Sequence, residues 1–239
     1  MKLLDLTLPT PAENLALDEA LLEEADAGIG PERVLRLWES PEPAVILGRS
    51  CRYREETHWD ACVAAGVPVL RRPSGGGTVV IGPGCLMYTV LLPYDAYPRL
   101  AMIEVAHEFV LSRVQVAVET LATGVEIRGT SDLAVDGRKF SGNSLRCKRA
   151  HLLYHGTLLY NFPLDAVTRW LAPPPRQPDY RAGRTHGDFV RNLPLDPARL
   201  RAALADAWQA HEPLDAWPKE LTRRLVADRY SRDAWNQRI

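Results

Sequence analysis

Between residues 100 and 122 apolar side chains recur every third or fourth position: Met102, Ala106, Phe109, Val110, Val114, Ala117 and Leu121. That spacing predicts one long helix with a single stripe facing a core. A first helix is predicted from a cap at Asn14 to about Ala27, stopped by Gly28. Its apolar face holds Leu17, Ala20 and Leu21, while Asp18, Glu19, Glu23 and Glu24 face elsewhere. Between these helices the pattern shifts to short apolar runs. Val34–Trp38 and Ala44–Leu47 read as strands flanking a Pro-Glu-Pro turn, and Glu55–Ala65 as a helix ended by Gly66. Pro68–Arg72 reads as a strand entering the loop 73–77. Thr78–Ile81 resumes strand, and Gly82-Pro83-Gly84 returns it as Cys85–Leu92 in a hairpin.

Beyond the long helix, short strands are predicted at 125–128, 133–135, 139–141 and 151–161, then a helix at 164–171. A Pro- and Arg-rich loop covers 172–194, and two helices at about 197–210 and 217–228 follow. Strands crowd the middle and helices the ends. The fold class is therefore α+β, with a mixed, mostly antiparallel sheet flanked by helices. The regular βαβ alternation of a dinucleotide-binding fold is missing.

Composition narrows the function classes. The 239 residues suit one large domain, or one domain with a small appendage, and can bury a core without staples. With 29 Lys+Arg against 30 Asp+Glu the net charge is −1, which argues against a dedicated nucleic-acid binder. No apolar run reaches the roughly 18 residues of a membrane span, and the first 20 residues lack the apolar core of a signal peptide. Cys51, Cys62, Cys85 and Cys147 show no CxxC spacing and read as reduced thiols of a cytoplasmic protein. Only four of the 29 basic residues are lysines, so a lysine in a Gly-rich segment draws notice.

Three segments carry candidate chemistry. The first is Arg71-Arg72-Pro73-Ser74-Gly75-Gly76-Gly77-Thr78. Three glycines permit close backbone approach, and their N–H groups can form a nest for anionic oxygens, with two arginines as further donors. The competing reading is a hairpin loop with two solvated arginines. No GxxxxGK[ST] is present and a strand, not a helix, follows. The second segment runs from Ser131 to Ser144, where Asp136-Gly137 signals a hairpin and Lys139 follows it at once. Lys139 can serve as a point-charge donor to a phosphate or acyl oxygen, or be an ordinary edge-strand lysine. The third is the apolar strand 151–159, in which His155 precedes Gly156. Such a histidine is an acid/base candidate or simply structural. No Cys/His spacing fits zinc. Cys85 reads as a core residue, and Cys147, flanked by Arg146, Lys148 and Arg149, as an incidental thiol.

Taken in register, Asn14-Leu15-Ala16-Leu17-Asp18-Glu19-Ala20, Arg71–Val79, Asp132-Leu133, Gly137-Arg138-Lys139-Phe140-Ser141-Gly142 and His155–Leu159 resemble one family. It is the lipoate–protein ligase catalytic domain, within the biotin/lipoate ligase and octanoyltransferase superfamily, over residues 10–195. The resemblance implies a class II synthetase-like fold and a two-step acyl transfer. ATP and lipoate or octanoate give an acyl-AMP, and a lysine of a lipoyl-carrier protein, such as an E2 domain or H protein, then takes the acyl group. It implies that Arg71 and Arg72 bind phosphate and that Gly75, Gly76, Gly77, Thr78, Val79 and Val80 line the nucleotide. Lys139 would bridge the acyl carbonyl and the adenylate phosphate. Gly76, Gly77, Tyr88, Ser141, Gly142, His155 and Gly156 would surround the acyl group. Asp132 would orient a metal, the adenine side or the acceptor lysine, with Mg²⁺ accompanying ATP and no protein-held metal site.

Two departures stand out. Pro73 occupies a position that is not proline in many relatives, and Ser50-Cys51 stands where many ligases carry a nearby Gln. Residues 1–195 are expected to form the catalytic domain and 196–239 a helical extension of it. The C-terminal accessory domain common in this family is expected to be absent or supplied by a separate polypeptide. The alternative activity is acyl transfer between carriers through a cysteine thioester, but 165–185, where that cysteine is expected, contains none. Finally, the 172–194 loop, with Arg176, Arg181, Arg184 and Arg191, reads either as a lid that orders over the adenylate or as a surface strap with solvated arginines.

Overall fold

A computed structural model describes residues 1–239. The strands are β1 (Lys2–Asp5), β2 (Val34–Glu39), β3 (Ala44–Leu47), β4 (Val69–Arg71), β5 (Val79–Ile81), β6 (Cys85–Pro93), β7 (Glu126–Arg128), β8 (Asp132–Val135), β9 (Arg138–Cys147), β10 (His151–Leu159) and β11 (Glu212–Pro213). Eight form one sheet in the order β11-β1-β2-β6-β10-β9-β8-β7, parallel at β11-β1-β2 and antiparallel elsewhere. The others form a small sheet, β4-β3-β5. The helices are α1 (Pro11–Asp26), α2 (Tyr53–Glu56), α3 (Trp59–Ala64), α4 (Ile103–Glu119), α5 (Asp165–Trp170), α6 (His186–Phe189), α7 (Pro197–Ala207), α8 (Lys219–Leu225) and α9 (Asp233–Asn236). No helix is long and apolar enough to cross a membrane.

The central strands β6 and β10 are buried along their full length because both faces of the sheet are covered. Alternate residues divide between the faces, as the two-residue period of a strand demands. Leu35, Leu37, Tyr88, Val90, Leu152 and Tyr154 join one cluster with α4 and α7. Val34, Leu91 and Leu153 pack instead with Leu17 and Leu21 of α1.

Local readings near the first and second glycine turns need correction. Thr10, not Asn14, caps α1, in a capping box with Glu13. Asn14 lies inside the helix, where its amide bonds Leu8 and Thr10 carbonyls. Asp18 and Glu19 do not face solvent; both are buried. The helix predicted at 55–65 is two short ones broken at Thr57-His58. Gly82-Pro83-Gly84 closes no hairpin. Instead β5 pairs with β3 while β6 enters the large sheet, and Gly84 packs so tightly on the Asn161 backbone that a Cβ would lie 2.2 Å from its carbonyl oxygen. β2 and β3 likewise lie in different sheets. The short strand expected at 139–141 extends to Cys147.

Residues 196–239 pack back on the body of the protein. β11 extends the large sheet beside β1. Tyr230 donates to Glu19, which also pairs with Arg229.

One row of polar residues crosses the α1 face of the sheet. The strand register aligns Arg36 with Thr89, Thr89 with His155, and His155 with Ser144. Asp18 projects onto this row: Oδ1 lies 2.5 Å from Arg36 Nη1 and Oδ2 accepts from Thr89 Oγ1 at 2.8 Å. Arg36 is 0% exposed and also donates to Asn14 and to the Leu6 carbonyl. Burial opposes ionisation of Asp18, but Arg36 and His155 outweigh it and hold the carboxyl below its ordinary range. A depressed folded pKa stabilises the fold above the unfolded value of about 4 and ceases to do so as pH falls through the folded value. Asp18→Asn should therefore cost about 3–5 kcal/mol at pH 7, by leaving Arg36 buried without a counter-charge. Its penalty should shrink on acidification below about pH 4. Urea unfolding at pH 7 and pH 3 measures both, and an equal penalty at the two pH values would contradict this assignment.

Candidate active site

A cavity of about 430 Å³ opens between the glycine loop, the β8–β9 hairpin, β10 and the 172–194 segment. Its size suits a small-molecule site. One end is apolar, with Leu15, Ile46, Val80, Met87, Leu159 and Val167. The charged lining comprises four cations, Arg72, Lys139, Arg176 and Arg181, and two carboxylates, Glu56 and Asp132.

The backbone of the glycine loop is held through its carbonyls. Ser74 O accepts from Arg49 N, and Gly75 O from Arg72 Nη2 and Ser144 Oγ. Gly76 O accepts from Cys51 Sγ, and Gly77 O from Arg72 Nη2. The N–H groups of Gly75, Gly76, Gly77 and Thr78 donate to nothing in the protein. In a trans peptide each N–H points opposite the preceding carbonyl. Fixing four carbonyls on the protein side therefore leaves four donors free as a nest for anionic oxygen. Gly76 has φ +78°, which favours glycine.

Arg72 shapes this loop from within. Its Nε donates to Ser74 Oγ at 3.0 Å, Nη1 to Ile46 O, and Nη2 to Gly75 O and Gly77 O. Burial pushes its pKa down to about 10, so it stays charged at neutral pH. Of its five N–H groups one, on Nη1, remains uncommitted.

Ser74 connects the loop to the buried polar row. Its Oγ lies 2.6 Å from His155 Nε2, and His155 Nδ1 lies 3.8 Å from Asp18 Oδ2. The carboxylate selects the tautomer protonated on Nδ1, so Nε2 accepts from Ser74 while Ser74 accepts from Arg72. A nucleophilic Ser-His-Asp reading fails, because Ser74 is buried and its oxygen is taken by Arg72.

Lys139 and Asp132 face each other across the β8–β9 hairpin, with Nζ 2.6 Å from Oδ1. The turn uses left-handed Asp136 and Gly137, φ 52° and 66°, as a two-residue hairpin requires. Gly142 is the cross-strand partner of Asp132, and a Cβ there would lie 2.7 Å from Lys139 Nζ. Glycine at 142 thus leaves room for the lysine to reach the carboxylate. Tyr180 donates to Asp132 Oδ2 at 2.8 Å, tying the 172–194 segment to the pair. That segment walls the cavity through Pro174, Arg176, Gln177, Pro178 and Arg181. Arg191 pairs with Asp136, and Arg184 bonds the Gly137 and Tyr180 carbonyls.

Of the predicted site residues, Arg72, Gly76, Gly77, Thr78, Val79, Val80, Asp132, Lys139, Ser141, Gly142, His155 and Gly156 line this cavity. Three do not. Arg71 is fully buried behind the loop, with its guanidinium bonded to carbonyls of Gly48, Arg49, Cys51, Trp235 and Asn236, so it has no role as a phosphate donor here. Gly75 lies behind the lining, under Ser144. Tyr88 is a core residue whose hydroxyl donates to Asn143. Sequence reasoning missed Glu56, which accepts from Thr78 Oγ1 at 2.8 Å, and Tyr180, whose position in a loop carried no signal. No cluster of three His, Cys, Asp or Glu is placed to hold a metal ion, and both oxygens of Asp132 are engaged.

A family model for the lipoyl protein ligase A/B catalytic domain matches residues 10–195. The chain belongs to this family. A lipoate-protein ligase A of Bdellovibrio bacteriovorus is 31% identical over 192 residues, covering 77% of this chain and 52% of that protein. The chain thus spans about half the length of that relative. An octanoyltransferase LipM of Carboxydothermus hydrogenoformans is 26% identical over 254 residues, 94% of this chain and 93% of that one. Among solved structures, one from Thermoplasma acidophilum, reported as a bi-partite lipoate protein ligase and its E2 lipoyl domain, aligns with 99% of this chain and 95% of its own. Its TM-score is 0.84 at 22% identity. A lipoate-protein ligase A bound with ATP has TM-score 0.80 at 22% identity, covering 99% and 98%. The lipoyl ligase fold therefore accounts for the whole chain, α7 to α9 included.

The relay through Ser74 makes a specific prediction. His155→Leu removes the acceptor and should lower stability by about 1–3 kcal/mol, with faster proteolysis within residues 72–78. His155→Gln, which can present an oxygen near the Nε2 position, should recover most of the loss. Equal damage in both variants would refute the acceptor role.

Proposed function

We propose that this chain is an ATP-dependent lipoate–protein ligase. It activates lipoate or octanoate as the acyl-AMP and passes the acyl group to a lysine of a lipoyl-carrier protein. The observation that carries this reading is that Gly76, Gly77 and Thr78, whose backbone N–H groups have no partner in the protein, line one cavity with Lys139 and a set of apolar side chains. Adenylation builds negative charge at phosphorus, and preorganised donors stabilise it without reorganisation. The Gly76–Thr78 amides supply those donors, with Arg72 holding the loop in place. Lys139 has three N–H groups and Asp132 takes one, which leaves donors for the acyl carbonyl and the adenylate oxygen. Asp132 holds the lysine in place through its 2.6 Å contact. Magnesium bound with the nucleotide would supply charge screening for the leaving pyrophosphate.

The octanoyltransferase relative favours a second reading, transfer through a cysteine thioester. Against it, no cysteine lines the cavity. Cys85 is fully buried, with its pKa raised by burial, and Cys147 lies outside the lining. The bi-partite Thermoplasma ligase supports a lipoyl carrier as acceptor and a separate accessory polypeptide as partner. Four free cysteines fit a reducing cytoplasm.

Incubation with ATP, magnesium and lipoate or octanoate should release pyrophosphate, and addition of a lipoyl domain should yield its acylated form. Lys139→Ala should slow pyrophosphate release on the order of 10²–10³-fold with unfolding unchanged. Absence of pyrophosphate with the native enzyme, tested with and without carrier and partner chains, would overturn the proposal. An acyl adduct on Cys147 in intact-mass spectra would favour the transferase.

A further inference from the structure

Arg71 and Arg72 spend nearly all their donors on backbone carbonyls, so the glycine loop contributes little free positive charge. A different arginine has the opposite character. Arg181 is 5% exposed, lines the cavity and forms no salt bridge. Its only protein acceptor is the Arg184 carbonyl, reached through Nε. The two terminal nitrogens have no partner.

The surroundings reinforce this deficit. The Arg181 guanidinium lies 4.9 Å from the centroid of buried Phe189, and Arg184 sits 5.3 Å from the same ring. Two like charges lie against one aromatic ring with no carboxylate paired to either. Burial, and after it Arg184, lowers the Arg181 pKa, the signature of a cation short of an anion. Its neighbour Tyr180 reaches Asp132, which pairs with Lys139. Arg181 is thus one residue from the tyrosine that engages the lysine's partner.

We infer that Arg181 is an anion-binding residue of this site and that its two free nitrogens take phosphate oxygens of the nucleotide or of the departing pyrophosphate. The inference rests on the adenylating function proposed above. A planar fork of two N–H donors suits phosphate, and a mostly desolvated guanidinium loses little further hydration on binding it. The carboxylate of the acyl substrate offers the same chemistry, and separate ligands distinguish the two.

The test is calorimetric titration of the full chain with ATP, with pyrophosphate and with octanoate, in the native protein, Arg181→Gln and Arg181→Lys. Arg176→Gln, which removes an exposed lining charge, controls for charge alone. Arg181→Gln should weaken ATP and pyrophosphate at least about tenfold, the scale of one charge-assisted hydrogen bond, and leave octanoate within about twofold. Arg181→Lys should recover part of the loss, because it keeps the charge and loses the fork. Native-like ATP and pyrophosphate binding in Arg181→Gln would overturn the inference. So would loss confined to octanoate, a loss matched by Arg176→Gln, or no phosphate binding by the native protein. If pyrophosphate binds and depends on Arg181 while no pyrophosphate-forming turnover exists, Arg181 stands as an anion ligand and the ligase function falls.

Discussion

The arrangement depends on one buried carboxylate. Asp18 neutralises Arg36, accepts from Thr89 and faces His155, so a single side chain of α1 fixes polar groups on β2, β6 and β10. An ionic row inside a sheet is costly to desolvate. Here it serves a geometric end, since it terminates at Ser74 and Ser144, the two serines that grip the glycine loop. Structural electrostatics and loop position are one network.

That network converts flexible glycines into a directional surface. Glycine loops have too many accessible conformations to bind anions tightly unless something else selects one. The protein selects by occupying carbonyls, through Arg72 from inside and Arg49, Cys51 and Ser144 from outside. The free amides are the complement of that choice. The guanidinium beside the glycines acts mainly as scaffold, while the donors left without a protein partner lie on the loop backbone and on Arg181, about a hundred residues further along.

Much of this was legible in the residues. The long α4 stripe, the Asp136-Gly137 hairpin and a Gly-rich loop with free amides follow from local rules of periodicity and turn chemistry, and the structure contains all three. The cavity likewise gathers the glycine loop, Lys139 and His155. Failures occurred where tertiary pairing overrides local pattern. Asp18 and Glu19 look like solvent-facing helix acids until Arg36 and Tyr230 arrive from far along the chain. Arg71 looks as available as Arg72, because nothing in a sequence says that the Asn236 carbonyl will claim it. The glycine turn at 82–84 looks like a hairpin because sheet membership is decided by packing on Asn161, not by the turn.

The clasp on Arg71 also bears on when the site comes into being. Trp235 donates to the Arg71 carbonyl, and Asn236 engages both the Arg71 amide and its guanidinium. The strand that delivers the chain into the glycine loop is thus secured by residues 165 positions later. On the ribosome, the loop residues emerge early and must wait, through synthesis of two thirds of the protein, for the segment that seats them. Seating of the glycine loop therefore depends on a segment 165 positions beyond the strand that leads into it.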